Sequence, residues 1–120
     1  MATPIQVAQN FLAAYYGEVE GTRANVQNFY NEGSMLSYQG EETMGINAVT
    51  KIQTQPRMKH GNTQVDCQPV PASGTYIITV VGQIQTEGET HLLQYMEVFH
   101  ISVTQAAFLI LNQIFKLVMI

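Results

Sequence analysis

FLILNQIFKLVMI, residues 108–120, decides the fold. Read as a strand over 108–119, it puts Phe108, Ile110, Ile114, Val118 and Ile120 on one face. Leu109, Leu111, Phe115, Leu117 and Met119 line the other. A sheet with one wet face alternates apolar and polar side chains, and this strand does not. Both faces therefore demand cover, and three short helices in 120 residues cover only one. Fully burying one Leu, Ile or Phe contributes roughly 1.5–3 kcal/mol, and such a face left wet is an aggregation surface. A second, identical subunit is the simplest cover, because most soluble oligomers join identical patches about a two-fold axis. A sheet curled until its concave face folds onto itself is the alternative.

Upstream, the same two-residue period runs back to Gly61. Thr75 to Thr86 sets Tyr76, Ile78, Val80, Gly82 and Ile84 against Ile77, Thr79, Val81, Gln83 and Gln85, and reads as a strand. Thr86-Glu87-Gly88-Glu89 is a turn, His91 to Val103 a second long strand, and Gln105-Ala106 the next turn. Joined by hairpins, the strands are expected to pair antiparallel. The N-terminal half has helical period instead. Thr3-Pro4-Ile5-Gln6 combines a capping hydroxyl, a proline at the first helical position and a glutamine three residues on. Val7, Phe11 and Tyr15, flanked by Ala8, Leu12 and Tyr16, form the apolar stripe of the helix that follows, which Gly17 to Gly21 ends. A short second helix is expected from Thr22, burying Val26, Phe29 and Tyr30. A third runs from Ile46 to Gln53, with Ile46, Val49 and Ile52 on one side, and stops at Pro56. The reading is one α+β domain over residues 1–120.

Composition narrows the function. Only 12% of residues are charged, and five Lys+Arg face nine Asp+Glu, for a net charge of −4. With no basic run, the electrostatic footprint of a nucleic-acid binder is missing. The single cysteine, Cys67, builds neither a disulfide framework nor a cysteine zinc site and fits a reducing compartment. With no basic neighbour in sequence it is read as inert. The apolar stretch 106–120 is broken by Asn112, Gln113 and Lys116, and is too short for a membrane span. No Gly-rich phosphate loop, paired-His metal spacing or nucleophile motif is present, so no catalytic residue, cofactor or metal is assigned. His91 reads as a surface residue and His100 as partner-facing; with Leu109 and Leu111, His100 is a candidate for the dimer face.

The order and spacing of several blocks carry a family resemblance. Phe11, Tyr15-Tyr16, Arg23, Tyr30, Ser34-Met35-Leu36-Ser37-Tyr38, Gly45, Gln68-Pro69, Val80-Val81-Gly82-Gln83, Phe99 and Ile114-Phe115-Lys116-Leu117 together resemble nuclear transport factor 2, from about Pro4 to Val118. The resemblance implies a cone: three N-terminal helices on a strongly curved antiparallel sheet, a cystatin-like roll with a cavity at its wide end, and a homodimer formed through the sheet. It also implies carriage of the GDP-bound small GTPase Ran into the nucleus, contacts to Phe-Gly nucleoporin repeats, and residence in cytoplasm, nucleus and nuclear pore. By position, Glu87 and Glu89 match the family's acidic loop. Tyr38, Met58, Leu92 or Leu93, Ile114 and Phe115 match its rim and cavity. The chain has Tyr38-Gln39 where the family has Trp-Glu, so one acid is replaced by an amide, and it contains no Trp.

Two other classes share the fold. One is a scaffold subunit of mRNA-export or ribonucleoprotein complexes. The other is a small-molecule enzyme or ligand-binding cone, for which Asp66, His60 and Tyr38 are the acid–base candidates.

Overall fold

The structure, a computed structural model, describes residues 2–105 and 107–118. The expectations placed on Ala106, Met119 and Ile120 lie outside them. Helix α1, Pro4–Glu20, starts as its sequence dictates: the Gln6 amide donates to Thr3 Oγ1 at 3.3 Å and the Thr3 amide to Gln6 Oε1 at 2.8 Å. It buries Val7, Ala8, Phe11, Leu12, Tyr15 and Val19. Gly17 lies inside the helix, which ends where the Gly21 amide bonds the carbonyls of Gly17 and Glu18.

The expected second helix is a single 3-10 turn, Val26–Phe29. Arg23, at φ 63°, is in the left-handed region, which no helix begun at Thr22 tolerates. Helix α2, Ile46–Thr54, buries Ala48, Val49 and Ile52. Ile46 does not join them; it is among the most exposed apolar residues.

Six strands follow or intervene: β1 Met35–Tyr38, β2 Glu41–Met44, β3 Met58–Val70, β4 Thr75–Thr86, β5 Leu92–Thr104 and β6 Ala107–Leu117. They form one sheet in the order β2-β1-β6-β5-β4-β3. Neighbours are antiparallel except β1 and β6, which are parallel and lie far apart in sequence, with no hairpin to impose antiparallel pairing. Gln39 and Gly40, at φ 52° and 85°, make the two-residue loop between β1 and β2.

One irregularity changes the reading of β6. His100 pairs with Asn112, but Ile101 pairs with Ile110, so Leu111 is an extra residue opposite the β5 ladder. Such a bulge reverses the alternation beyond it. Phe108 and Ile110 face inward before it, whereas Gln113, Phe115 and Leu117 face inward after it. The expected faces, each continuous from 108 to the end, are therefore each split in two.

The inner face meets α1 in an aromatic core, where Phe11 lies 4.9 Å from Phe99 and 5.5 Å from Phe108 between ring centroids. The outer face is bare in the single chain: Ile77 is 44%, Val81 52%, Ile114 45% and Met35 45% exposed.

Arg23 locks the helical layer. Its Nε donates to Val19 O at 2.9 Å. Nη1 is shared among the carbonyls of Ile52, Gln53 and Gln55, and Nη2 donates to Pro56 O at 3.2 Å. These are the orphan carbonyls of the α2 C-terminus and the segment after it. Burial pulls the guanidinium below its ordinary value, but it needs no carboxylate, because the carbonyls and the negative end of α2 face it. Arg23→Ala strands these carbonyls and is expected to cost roughly 3 kcal/mol or more, with Arg23→Lys recovering only part, read by urea denaturation.

Candidate binding cavity and groove

Between α1 and the inner face of the sheet lies a cavity of about 20 Å3. Tyr15, Tyr16, Val19 and Arg23 line one side, and Tyr38, Met58, His60, Glu97 and Phe115 the other. Tyr38 and Phe115 are stacked, with centroids 4.6 Å apart and planes at 13°. Lys51 Nζ sits 5.8 Å from the Tyr38 ring, a cation–π contact. Burial, more than the field of Glu97, pushes the Tyr38 hydroxyl up to about 12.

The floor is polar. Glu97, on the row Tyr95, Glu97, Phe99, Ile101 of β5, is 4% exposed. Its Oε1 accepts from the Tyr16 hydroxyl at 2.8 Å and its Oε2 from Gln113 Nε2 at 2.8 Å. Tyr16 accepts in turn from Tyr95 at 3.0 Å. Gln113 also donates to Tyr15 at 3.0 Å and accepts from Tyr30 at 2.6 Å. Tyr15 and Tyr30 lie 2.8 Å apart, so the three groups close a ring. Every partner of Glu97 is neutral. Burial therefore raises its carboxyl to about 7, although the bonds from Gln113 and Tyr16 pull the other way.

His60 stacks on Tyr16 with centroids 3.8 Å apart. Its backbone amide and Nδ1 both bond Glu20 Oε2, each at 2.8 Å. Burial lowers its basicity, and Glu20 opposes this.

A larger groove, about 360 Å3, adjoins the cavity through Met58. Glu20, Arg57 and Lys59 form one wall, and Gln85, Thr86, Glu87, Gly88 and Glu89 the other. The Glu87 amide bonds Arg57 O at 2.7 Å, which ties the hairpin tip to the strand opposite.

The structure brings together part of the expected site. Tyr38, Met58 and Phe115 line the cavity, and Met58, Glu87 and Glu89 line the groove. Gln39 lies beside them, its Oε1 accepting the Leu117 amide at 2.8 Å. Leu92 and Leu93 line neither. Ile114 belongs to the outer face, because the residue beside the inward Phe115 must point the other way. On that outer face His100 accompanies Ile77 and Asn112, with its Nε2 2.8 Å from Thr75 Oγ1 and its Nδ1 3.1 Å from Asn112 Oδ1. Leu109 lies on the same face, and Leu111 is the bulge itself.

Asp66 pairs with Thr79 on the row opposite the core-facing Val65 and Cys67, away from the cavity, so the acid–base trio of Asp66, His60 and Tyr38 is not assembled. Burial raises the Cys67 thiol. Glu97 went unremarked in the sequence, although a carboxylate on the apolar row of a strand is a visible signal.

A curved sheet closed over a helix, with a narrow cavity, a charged groove at its mouth and a bare apolar back, defines a domain of the cone-shaped α+β class. Residues 7–117 match the Nuclear transport factor 2 (NTF2) domain family. The chain is 36% identical to Nuclear transport factor 2B of Arabidopsis thaliana, over 95% of this chain and 94% of that one. The structure of nuclear transport factor 2 from Cryptosporidium parvum superposes with a TM-score of 0.84 at 28% identity, covering 95% of this chain and 94% of that one. The Mtr2-Mex67 M domain complex of C. albicans contains a chain of the same fold, TM-score 0.81 at 13% identity, covering 96% of this chain and 94% of that one. The chain belongs to the nuclear transport factor 2 family.

Glu97 makes stability depend on pH in a defined direction. Its carboxyl rises from 4.5 to about 7 on folding, so its contribution is fully present below pH 4.5 and is lost as pH climbs through 7. Unfolding free energies of the native chain and of Glu97→Gln, measured by urea denaturation from about pH 5 to about pH 8, are expected to diverge in favour of the variant as pH rises, by up to roughly 3 kcal/mol.

Proposed function

We propose that the chain is a nuclear transport adaptor: a homodimer that binds the GDP-bound form of Ran at the cavity and groove, and Phe-Gly nucleoporin repeats elsewhere. It would move between cytoplasm and nucleus through the pore, and it would act by binding, with no chemical step. Membership of the nuclear transport factor 2 family supports the reading. The observation that carries it is the groove, where Glu87 and Glu89 stand beside an aromatic-lined cavity. An aromatic-rimmed mouth, with Glu87 and Glu89 beside it, suits a protein partner that offers an aromatic side chain next to lysines.

The bare outer face supports a second copy as its cover. Ile77, Val81, Ile114 and Met35 are exposed on one surface, and an isologous partner buries two such patches at once. Val81→Arg leaves the inner core untouched and is expected to halve the mass measured by sedimentation equilibrium while the circular dichroism spectrum stays the same. A monomeric native chain would remove the dimer from this reading.

Calorimetric titration with Ran-GDP tests the partner. Glu87→Lys with Glu89→Lys is expected to weaken binding about tenfold or more and to flatten its salt dependence. Unchanged affinity would take both residues out of the site, and no binding by the native dimer at tens of micromolar would remove the Ran assignment.

The scaffold reading has one observation in its favour, the shared fold with the Mtr2-Mex67 assembly. Preferential heterodimer formation on co-expression distinguishes it.

A further inference from the structure

Glu97 has a chemistry that the transport reading does not use. An ionised carboxylate offers about four acceptor sites, and here two are filled, by Tyr16 and Gln113. The remaining lone pairs are satisfied only from the cavity, whose volume of about 20 Å3 matches a single water. Among the described residues, no lysine or arginine hydrogen is placed to replace it. Arg23 also lines the cavity, but its guanidinium hydrogens go to the carbonyls of Val19, Ile52, Gln53, Gln55 and Pro56.

The groups that face Glu97 come from every layer packed on it. Tyr15 and Tyr16 approach from α1, Tyr30 from beyond the 3-10 turn, Tyr38 from β1, and Tyr95 from its own strand. His60 borders the same cavity from β3, with Glu20 on its Nδ1. Burial holds every one of these tyrosines above the ordinary phenol range, so none loses its proton near neutrality. Within the network, Glu97 is the group poised to titrate there.

We propose that closing the mouth of the cavity with an apolar side chain is coupled to the uptake of one proton at Glu97. A side chain seated on the mouth beside Tyr38 expels the single water that fits inside and lowers the local dielectric, and both disfavour the carboxylate. The network accepts the proton without rearranging any heavy atom. Oε2 keeps its bond from Gln113; Oε1 becomes a donor to the Tyr16 hydroxyl, Tyr16 turns its own hydrogen toward the Tyr95 oxygen, and the Tyr95 hydrogen, which pointed at Tyr16, rotates away from it. The proton comes from solvent and stays on Oε1. Binding is therefore tighter on the acid side of neutrality and looser on the alkaline side.

This rests on the cavity being the binding site of the proposed reading, and the probe is Ran loaded with GDP. Titrations of the native dimer in two buffers of different ionisation enthalpy, near pH 7, are expected to show net uptake of roughly half a proton per site. Affinity is expected to fall about tenfold between about pH 6 and about pH 8. Glu97→Gln is expected to abolish both effects, leaving only what titrates on Ran or elsewhere on the chain. Binding by the native dimer with no proton uptake overturns this inference and leaves the transport reading standing, and needs no variant to fold. Equal pH dependence in native and Glu97→Gln proteins overturns it likewise. No binding by the native dimer at any pH removes both.

Discussion

The extra residue at Leu111 is the constraint on which the inner and outer surfaces both depend. Without it, strict alternation from Ile110 would send Asn112 and Ile114 inward and Gln113 and Phe115 out to the bare face. With it, Gln113 reaches Glu97 and the two tyrosines, Phe115 reaches Tyr38, and Ile114 joins Val98 on the back of the sheet. A single local count of two residues against one thus assigns side chains to the cavity and to the exposed face at once. Beyond the bulge, β1 pairs in parallel with the far half of β6, which brings Tyr38 opposite Phe115.

The polar floor is stable because it is complete. Buried hydrogen bonds contribute modestly when satisfied and cost more when one partner is lost. Tyr15, Tyr30 and Gln113 use each donor inside a closed ring, and the second Gln113 hydrogen is left for Glu97. The carboxylate is the exception, held by two neutral donors in a place where a cation would ordinarily be found. The rest of the interior is aromatic packing around Phe11, Tyr15 and Phe99, which leaves the floor little room to relax.

Much of the fold was legible in the residues. Thr3, Pro4 and Gln6 announced α1, and the period of two placed β4 at its actual limits, because propensity, capping and burial agree there. The bare outer face followed from counting apolar residues against available helices. The bulge was not legible, since an unbroken apolar run looks the same with or without an extra residue. Nor was the parallel β1–β6 pair, which rests on contacts between distant segments. The helix expected at Thr22 gave way to the demand of the α2 carbonyls on Arg23, a long-range requirement that no local pattern displays. Tyr38, Met58, Phe115, Glu87 and Glu89, which line the cavity and groove, were expected there by position in a resemblance, whereas Glu97 and Gln113 belong to a network spread over distant strands and helices.

The Arg23 clamp also decides where the chain tolerates changes of length. The carbonyls of Ile52, Gln53, Gln55 and Pro56 are gripped by its guanidinium, and the segment leads directly into Arg57 and Met58 at the mouth of the groove. An insertion there would break the grip and splay the entrance. The tip at Gly88, exposed and at φ 85°, lies beyond the Glu87 bond that ties its base to Arg57, so a change of length there disturbs less of the scaffold.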